Sequence, residues 1–192
     1  MGYEAATARK PSAGKLAANQ ELSDLLLALG CGTGDRFKTE DLRYNKVVIM
    51  TDADVDGAHI ASLLVTFFYR EMPALIDKGH LYLAMPPLYR LAHGGKSVYA
   101  RDDAHKEQLL KSEFKANAKV EISRFKGLGE MNPSQLKETT MKPGMRTLLK
   151  VIIAEDDREE TADLVERLMG KKPEMRFQYI QEHAQFAKDI DV

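Results

Sequence analysis

The sequence has very little cysteine and no long hydrophobic run. Cys31 is the single cysteine among 192 residues, which excludes an internal disulfide framework and fits a reducing cytosol. No apolar run approaches the roughly 20 residues that a membrane-spanning helix requires. The first ten residues carry basic side chains without the apolar core of a secretory signal. We therefore expect a soluble protein of the cytoplasm.

The sequence also lacks an excess of charge of either sign. Lys and Arg total 28 and Asp and Glu total 29, which gives a formal net charge of −1. Any contact with nucleic acid must therefore come from local basic patches. Hydrophobic residues make up 44% and charged residues 30% of the chain, which is the ordinary mix of a globular domain. This composition excludes general disorder, a collagen-like repeat and a coiled coil.

The first half of the chain has the pattern of a strand–helix–strand unit. Residues 47–50 form a short, β-branched apolar run, which predicts a central parallel strand buried on both faces. Apolar residues at helical spacing over 60–76 predict a long helix that Pro73 kinks. A second strand is predicted over 80–85. This order of elements predicts a mainly parallel sheet with a right-handed crossover.

The flanking segments carry weaker signals. Leucines over 22–29 recur at helical spacing, and Gly30 is placed to end that helix. The glycine-rich stretch 30–34 follows a helix instead of a strand, so we interpret it as a helix end and loop and not as a phosphate-binding loop. Downstream, the patterns predict a hairpin over 88–100, helices over 102–114, from 132, from 156 and over 173–188, and strands over 120–125 and 147–153.

Three carboxylates follow the first predicted strand. Asp52, Asp54 and Asp56 alternate at its carboxyl end, the edge of an open α/β sheet where ligands bind. Two carboxylates about 5 Å apart repel by roughly 3 kcal/mol at an effective dielectric near 20. An all-oxygen set of ligands selects a hard cation such as Mg²⁺. We expect Asp56 to cap the following helix in either case, and the alternative to a metal site is that the other two carboxylates are solvated.

The same residues also match the first half of an EF-hand calcium loop. That loop needs a glutamate at its twelfth position and a helix before it. Here the twelfth position is Leu63, and the segment before the loop is a predicted strand. We therefore exclude a calcium site of the EF-hand type.

Long segments around these carboxylates resemble a known family. The runs RYNKVVIMTDADVDGAHIASLLVTFF, PPLY and RFKGLGEMNPSQLKETTM resemble the B subunits of bacterial type IIA DNA topoisomerases. The runs KLAANQELSDLLLALGCGTGDRF and YARDDAHKEQLL resemble the B subunit of topoisomerase IV (ParE type) more than that of gyrase. The resemblance covers about residues 15–190. It implies an α/β TOPRIM fold, Rossmann-like with a mainly parallel sheet flanked by helices, followed by an α+β C-terminal segment.

The resemblance also implies a function in DNA topology and a set of partners. TOPRIM carboxylates of this family hold Mg²⁺ while duplex DNA is cleaved and resealed by a tyrosine of the topoisomerase A subunit (ParC/GyrA type). By motif, Asp52 and Asp54 would be the principal metal ligands and Asp56 a supporting one. The parent enzyme is a bacterial, nucleoid-associated heterotetramer of two A and two B subunits. It uses ATP, which only the complete B subunit would bind.

Four basic or titratable residues are candidates for contact with DNA. His59 lies one turn into the helix after the carboxylates, and its alternative is an ordinary surface histidine. Lys126, with Arg124 just before it, sits on a turn whose glycines allow close approach of the backbone to a partner. They are candidates for phosphate or A-subunit contact, with a solvated basic turn as the alternative. Arg176, on the last predicted helix, is a weaker candidate.

The chain departs from the family pattern in one important respect. The family's TOPRIM domain opens with a strand ending in Glu-Gly-Asp-Ser, whose glutamate is a metal ligand and the expected general acid/base. That motif and the following Arg-Gly-Lys-Ile-Leu-Asn segment are absent from the sequence, as is the ATPase region, and Glu4 is a poor substitute. Loss of that strand exposes the flank of its neighbour. We therefore expect a truncated or degraded chain that is inactive alone.

Two interpretations of the chain remain from this comparison. In the first it is the metal-binding C-terminal part of a type II topoisomerase B subunit, and in the second it is a non-catalytic module that docks the A subunit or DNA. An unrelated TOPRIM primase or nuclease is disfavoured by the KGLGE block. The predicted organisation is a flexible leader over 1–15, an incomplete TOPRIM domain over 16–100, a connecting helix over 101–119 and the C-terminal segment over 120–192.

Overall fold

The structure is a computed structural model that describes residues 18–186. The predicted leader and the end of the last predicted helix lie outside the described residues. The chain divides into two compact units. The first contains the described parts of Met1–Asn45 and Ile152–Val192 together with Leu63–His80, and the second contains Lys46–Ser62 and Leu81–Val151. The domain boundaries predicted along the sequence stay a prediction.

The first unit is helical. Its first helix, α1 (Gln20–Leu29), begins where the Asn19 side chain accepts a hydrogen bond from the Leu22 backbone N–H at 3.0 Å. It ends at Gly30, whose φ of 72° is a left-handed conformation that glycine adopts without strain. The same unit contains the later part of α2 (Val55–Glu71), then α3 (Pro73–Asp77), α6 (Arg158–Met169) and α7 (Pro173–His183).

Aromatic and aliphatic side chains form the core of this first unit. Phe67 and Phe68 are each 1% exposed, and their rings meet edge to face with centroids 5.5 Å apart. The other buried apolar residues of the unit are Leu22, Leu29, Cys31, Leu63, Met72, Leu75 and Ile76. Burial raises the pKa of the Cys31 thiol above its ordinary value.

The predicted kink at Pro73 is a complete break between two helices. Met72 leaves the helical conformation with φ −144° and ψ 54°, and Pro73 begins α3 as its first residue. Proline lacks a backbone N–H and disfavours the helical conformation in the residue before it, so a helix ends more readily than it bends at this position. Proline at the first position of a helix needs no N–H partner.

The second unit contains a three-stranded sheet in the order β1 (Val47–Ile49), β2 (Leu81–Ala84) and β6 (Leu148–Lys150). β1 pairs with β2 in parallel, with Val48 opposite Tyr82, and β2 pairs with β6 in antiparallel fashion. The strand–helix–strand prediction is thus confirmed. The prediction of a central first strand is wrong for the described strands, because β1 lies at the sheet edge and Val48 is 37% exposed.

A second sheet in this unit has the strand order β4, β3, β5 and is antiparallel throughout. Its strands are β3 (Tyr89–His93), β4 (Lys96–Ala100) and β5 (Glu121–Arg124). Gly94 and Gly95 form the predicted hairpin turn with φ of 57° and 83°, the backbone that a two-residue turn between twisted strands requires. Helix α4 (Asp103–Glu113) follows, capped by Asp102.

The rest of the second unit consists of short helical segments. Asn132 and Gln135 form a reciprocal capping box at the start of α5 (Pro133–Leu136), which continues as a π-helix over Lys137–Met141. The predicted α/β class is confirmed, and parallel pairing among the described strands is confined to β1 and β2. Within residues 18–186, no helix combines the length and the apolar character needed to cross a bilayer.

Candidate metal and nucleic-acid site

Asp52 and Asp54 lie in the loop between β1 and α2, Asp56 lies in the first turn of α2, and Asp54 caps that helix. Its Oδ1 accepts a hydrogen bond from the Gly57 backbone N–H at 2.7 Å, and its carbonyl oxygen accepts from Ala58 N–H at 3.0 Å. Those two bonds define a helix N-cap, where a carboxylate satisfies an otherwise unpaired backbone donor. A negative charge there also interacts favourably with the helix dipole.

The capping role predicted for Asp56 is therefore wrong. α2 begins at Val55, which places Asp56 within its first turn and Asp54 at the cap. Aspartate occupies every second position from 52 to 56, so each of these three residues was a plausible cap for the helix. Only the position of the first helical turn selects Asp54, and Asp56 keeps an exposed carboxylate.

Asp52 is held by a segment that is distant in the sequence. Its Oδ1 accepts a hydrogen bond from the Leu128 backbone N–H at 2.7 Å. Leu128 lies in the KGLGE turn that follows β5. Gly127 is so close that a Cβ built on it would lie 3.0 Å from the carboxyl carbon and 3.0 Å from Oδ2 of Asp52. The two most distinctive motifs of the sequence therefore meet at one carboxylate.

The KGLGE turn is anchored on both sides. Glu130 accepts a hydrogen bond from the Lys126 backbone N–H through its Oε2 at 2.7 Å, which closes the turn on itself. Phe125 and Met131, the residues that bracket the turn, are each 7% exposed. The Phe125 N–H also donates to the Leu88 carbonyl oxygen at 2.8 Å. The turn is thus fixed by its own backbone and by two buried side chains.

The donor chemistry at the carboxylates fits Mg²⁺. Asp52 and Asp54 each use one oxygen for a backbone N–H, and their second oxygens make no hydrogen bond among residues 18–186. The described residues contain no group of three or more His, Cys, Asp or Glu side chains arranged to hold a metal ion. Mg²⁺ is commonly bound through one or two carboxylates while it keeps several waters, and this donor set suits that mode of binding.

The other predicted site residues of the second unit are exposed. His59 lies in α2, Arg124 ends β5 and Lys126 begins the KGLGE turn. Arg124 has an anionic neighbour in the chain, Asp103. The pKa of Asp103 is held below its ordinary value first by a hydrogen bond from Lys106, then by one from the Tyr89 hydroxyl, and further by the charge of Arg124.

Arg176 has a structural role in the first unit. Its Nε donates to the Leu168 carbonyl oxygen at 2.7 Å, and its Nη2 donates to the Gly170 carbonyl oxygen at 3.0 Å. Those acceptors lie at the end of α6, where backbone carbonyls have no partner within the helix. Its guanidinium therefore caps α6, and contact between Arg176 and DNA stays a prediction.

Sequence reasoning identified the carboxylates but missed what holds Asp52 in place. Gly127, Leu128 and Glu130 were interpreted as parts of a flexible turn that approaches an external partner. In the structure, Gly127 and Leu128 contact Asp52. Glu130 instead bonds the Lys126 backbone N–H within the turn. Two glycines on either side of Leu128 signalled a close approach, but Leu128 lies 76 positions after Asp52, and no local pattern could join them.

Comparisons with known proteins match the segments that contain the carboxylate loop and the KGLGE turn. A family model described as the Toprim domain matches residues 6–86, and one described as the carboxyl terminus of the DNA gyrase B subunit matches residues 117–181. The B subunit of DNA topoisomerase 4 from Caulobacter vibrioides is 66% identical over 179 residues, which are 93% of this chain and 26% of that protein. The corresponding protein of Bartonella bacilliformis is 60% identical over 178 residues, with the same two coverages.

A gyrase protein is also similar, at lower identity. The B subunit of DNA gyrase from Halalkalibacterium halodurans is 49% identical over 178 residues, which are 93% of this chain and 28% of that protein. The fold, the carboxylate loop and these matches define a Toprim-containing α/β chain. More particularly, the chain belongs to the family of bacterial type IIA topoisomerase B subunits, in its Toprim-containing part, with topoisomerase IV proteins among its relatives. It spans about a quarter of the length of those curated relatives.

Proposed function

We propose that this chain supplies the metal-binding Toprim part of an ATP-dependent type II DNA topoisomerase, in the manner of a topoisomerase IV B subunit. The observation that carries the proposal is the carboxylate loop. Asp52 and Asp54 follow the carboxyl end of β1, each is fixed by a backbone N–H, and the second oxygen of each has no hydrogen bond from the residues that the structure describes. Relatives named as B subunits of DNA topoisomerase 4 are 60% and 66% identical to this chain over 178 and 179 residues.

In this proposal, Asp52 and Asp54 are the principal ligands of Mg²⁺, and Asp56 supports them directly or through a water. The bound ion would polarise the scissile phosphate and stabilise the leaving 3′ oxygen. The chain's own residues hold the carboxylates in place: Gly57 N–H binds Asp54 and Leu128 N–H binds Asp52. A ligand fixed before the cation arrives loses less conformational freedom on binding.

Contact with double-stranded DNA would come from exposed side chains of two segments. These are the carboxylate loop with the α2 helix that follows it, and the KGLGE turn that contacts this loop. His59 and Lys126 are the best candidates, because both are exposed and each belongs to one of those segments. Arg124, at the end of β5, is a further exposed candidate, and its charge contributes to the lowered pKa of Asp103. Phosphate contacts of this kind position DNA without reading its sequence. The near-neutral net charge of −1 agrees with a local contact surface.

The proposed assembly contains further components. The tyrosine that attacks DNA would belong to a topoisomerase A subunit, and the parent enzyme would be a cytoplasmic, nucleoid-associated heterotetramer of two A and two B subunits. ATP would be bound only by a complete B subunit. These partners rest on the family to which the chain belongs.

Mg²⁺ binding is tested by calorimetric titration of the full chain and of two isosteric variants, Asp52→Asn and Asp54→Asn. The asparagine oxygen still accepts the backbone hydrogen bond, and asparagine is a good N-cap, so each substitution removes charge without removing the local contact. We expect saturable binding by the wild type and at least about tenfold weaker binding by each variant, since an anionic ligand is lost. Asp156→Asn, at an exposed carboxylate of the first unit, is the control and should bind as the wild type does. Equal affinity for all four proteins would refute the assignment.

We further propose that the chain alone does not carry out ATP-dependent strand passage, because the Glu-Gly-Asp-Ser motif is absent from its sequence. The measurement is relaxation of supercoiled plasmid by the chain together with an A subunit, ATP and Mg²⁺. We expect no relaxation above the background of the A subunit, whereas a complete B subunit in the parallel reaction should relax the plasmid fully. Relaxation by this chain would overturn this part of the proposal.

A second candidate function is a non-catalytic module that docks the A subunit or DNA. It is favoured by one observation, which is that the described residues contain no three-ligand metal group. The two candidates are distinguished by measuring how the chain binds the A subunit or duplex DNA with and without Mg²⁺. A docking module would bind the A subunit or duplex DNA equally well with and without Mg²⁺, and its binding would be unchanged in Asp54→Asn.

A further inference from the structure

The backbone of the KGLGE turn contacts the side chain of Asp52 through a hydrogen bond and through close packing. The Leu128 N–H donates to Oδ1 of Asp52 at 2.7 Å, the short distance of a hydrogen bond to a charged acceptor. The neighbouring residue, Gly127, leaves only enough room for a hydrogen atom on the side of the carboxylate, since a Cβ there would lie 3.0 Å from its carbon. The carboxylate is therefore both bonded and confined by the same turn.

The glycine at position 127 is explained by Asp52 and not by the turn's backbone. Gly127 has φ −159° and ψ 171°, an extended conformation that any residue adopts. Gly129, two residues later, has no atom within 4 Å of the position that its Cβ would take. The two glycines of this turn thus differ in what an added Cβ would meet, which is the Asp52 carboxylate at Gly127 and no atom within 4 Å at Gly129.

We propose that Gly127 and Leu128 are positioning residues for Asp52. This inference rests on the proposed function, because it assigns them the task of holding a ligand of the cation. The Leu128 N–H fixes Oδ1 and so leaves Oδ2 as the oxygen that binds Mg²⁺, and the bare face of Gly127 lets the carboxylate occupy that position. Groups that orient a metal ligand without touching the metal commonly change its affinity by 10–100-fold when they are altered.

The turn is itself held in place, which makes it suited to this role. Glu130 closes it through the Lys126 N–H at 2.7 Å, and the buried Phe125 and Met131 anchor both of its ends. A backbone donor on an anchored turn has fewer ways to move away from a carboxylate than a side-chain donor has. Because the donor is the backbone of Leu128, the side chain at that position is not decisive, and Gly127 is the residue to change.

The test compares Gly127→Ala with Gly129→Ala in the full chain. The two variants make the same change in the same turn, but only the first places a methyl group against Asp52. Calorimetric titration with Mg²⁺ should show affinity about tenfold or more weaker for Gly127→Ala, and within about twofold of the wild type for Gly129→Ala. Hydrogen exchange at the Leu128 amide, measured by NMR without metal, should be accelerated in Gly127→Ala and unchanged in Gly129→Ala.

The outcomes separate this inference from the proposed function. If the wild type binds Mg²⁺ and both variants bind it equally well, the positioning role is overturned while the metal site stands. If Gly127→Ala lowers only the stability against unfolding and leaves Mg²⁺ affinity unchanged, the turn is a structural clamp and the inference also fails. If the wild type binds no Mg²⁺, the metal part of the proposed function fails, and the positioning role falls with it.

Discussion

Gly57→Ala should destabilise the protein by about 3 kcal/mol, as an overpacked core site does. Gly57 is buried in the first turn of α2, and a Cβ at this position would lie 2.1 Å from the carbonyl oxygen and 2.8 Å from the carbonyl carbon of Asp52. Both contacts are with backbone atoms, so no side-chain rotation can relieve them. The start of α2 or the carboxylate loop must therefore move.

The expected loss of stability is opposite in sign to the usual effect of this substitution in a helix. In an unconstrained helix, replacement of glycine by alanine stabilises by about 1 kcal/mol. Urea denaturation followed by circular dichroism gives the change in unfolding free energy. Gly129→Ala is the control, because it has no atom within 4 Å of the added methyl group and should change stability by less than about 0.5 kcal/mol. A Gly57→Ala variant as stable as the wild type would contradict the close packing of α2 on the loop.

Phe67→Ala should have an effect of similar or greater size, about 3–5 kcal/mol of lost stability. Phe67 is 1% exposed and packs edge to face on Phe68 with ring centroids 5.5 Å apart. Truncation to alanine removes most of a buried aromatic side chain and leaves a cavity that its neighbours fill only in part. Loss of the ring pair adds a smaller penalty, about 1 kcal/mol. A lower urea midpoint with an unchanged slope is the expected result.

A control in the same unit shows whether the loss of stability comes from the burial of Phe67 or follows any truncation to alanine in these helices. Leu27 in α1 is 73% exposed, so Leu27→Ala should change the unfolding free energy by less than about 0.5 kcal/mol. Phe67→Leu keeps much of the apolar volume and should fall between the wild type and Phe67→Ala. Equal destabilisation by Phe67→Ala and Leu27→Ala would show that Phe67 is not part of a packed core.

Most secondary-structure elements could be predicted from local patterns. The run of β-branched residues at 47–50 predicted β1, the two glycines 94 and 95 predicted the hairpin turn, and the Asn132–Pro133 pair predicted the start of α5. These features depend on side chains a few residues apart, so a short window of sequence contains their physical cause. The break at Pro73 was predicted as a kink, although the restriction that proline places on the residue before it already favours the end of a helix there.

The candidate site was predictable in its residue types and not in its contacts. Alternating aspartates after a strand favour a cation site, because clustered carboxylates repel one another, and this assignment stays a prediction. The aspartate that caps α2 is decided by where the first turn of the helix begins. Asp56 was predicted as the cap, and the structure has Asp54 there. The sequence placed Arg176 on the last helix but could not show its contacts, since its acceptors belong to the end of another helix.

The sequence by itself determined the α/β class, the order of the elements and the family, because these depend on composition, periodicity and long motifs. Only the tertiary structure decided that β1 lies at the edge of its sheet among the described strands and that the KGLGE turn meets Asp52. The physical reason is that both facts are contacts between segments far apart in the chain. Such contacts form only when the whole unit packs, and no property of either segment alone specifies the other.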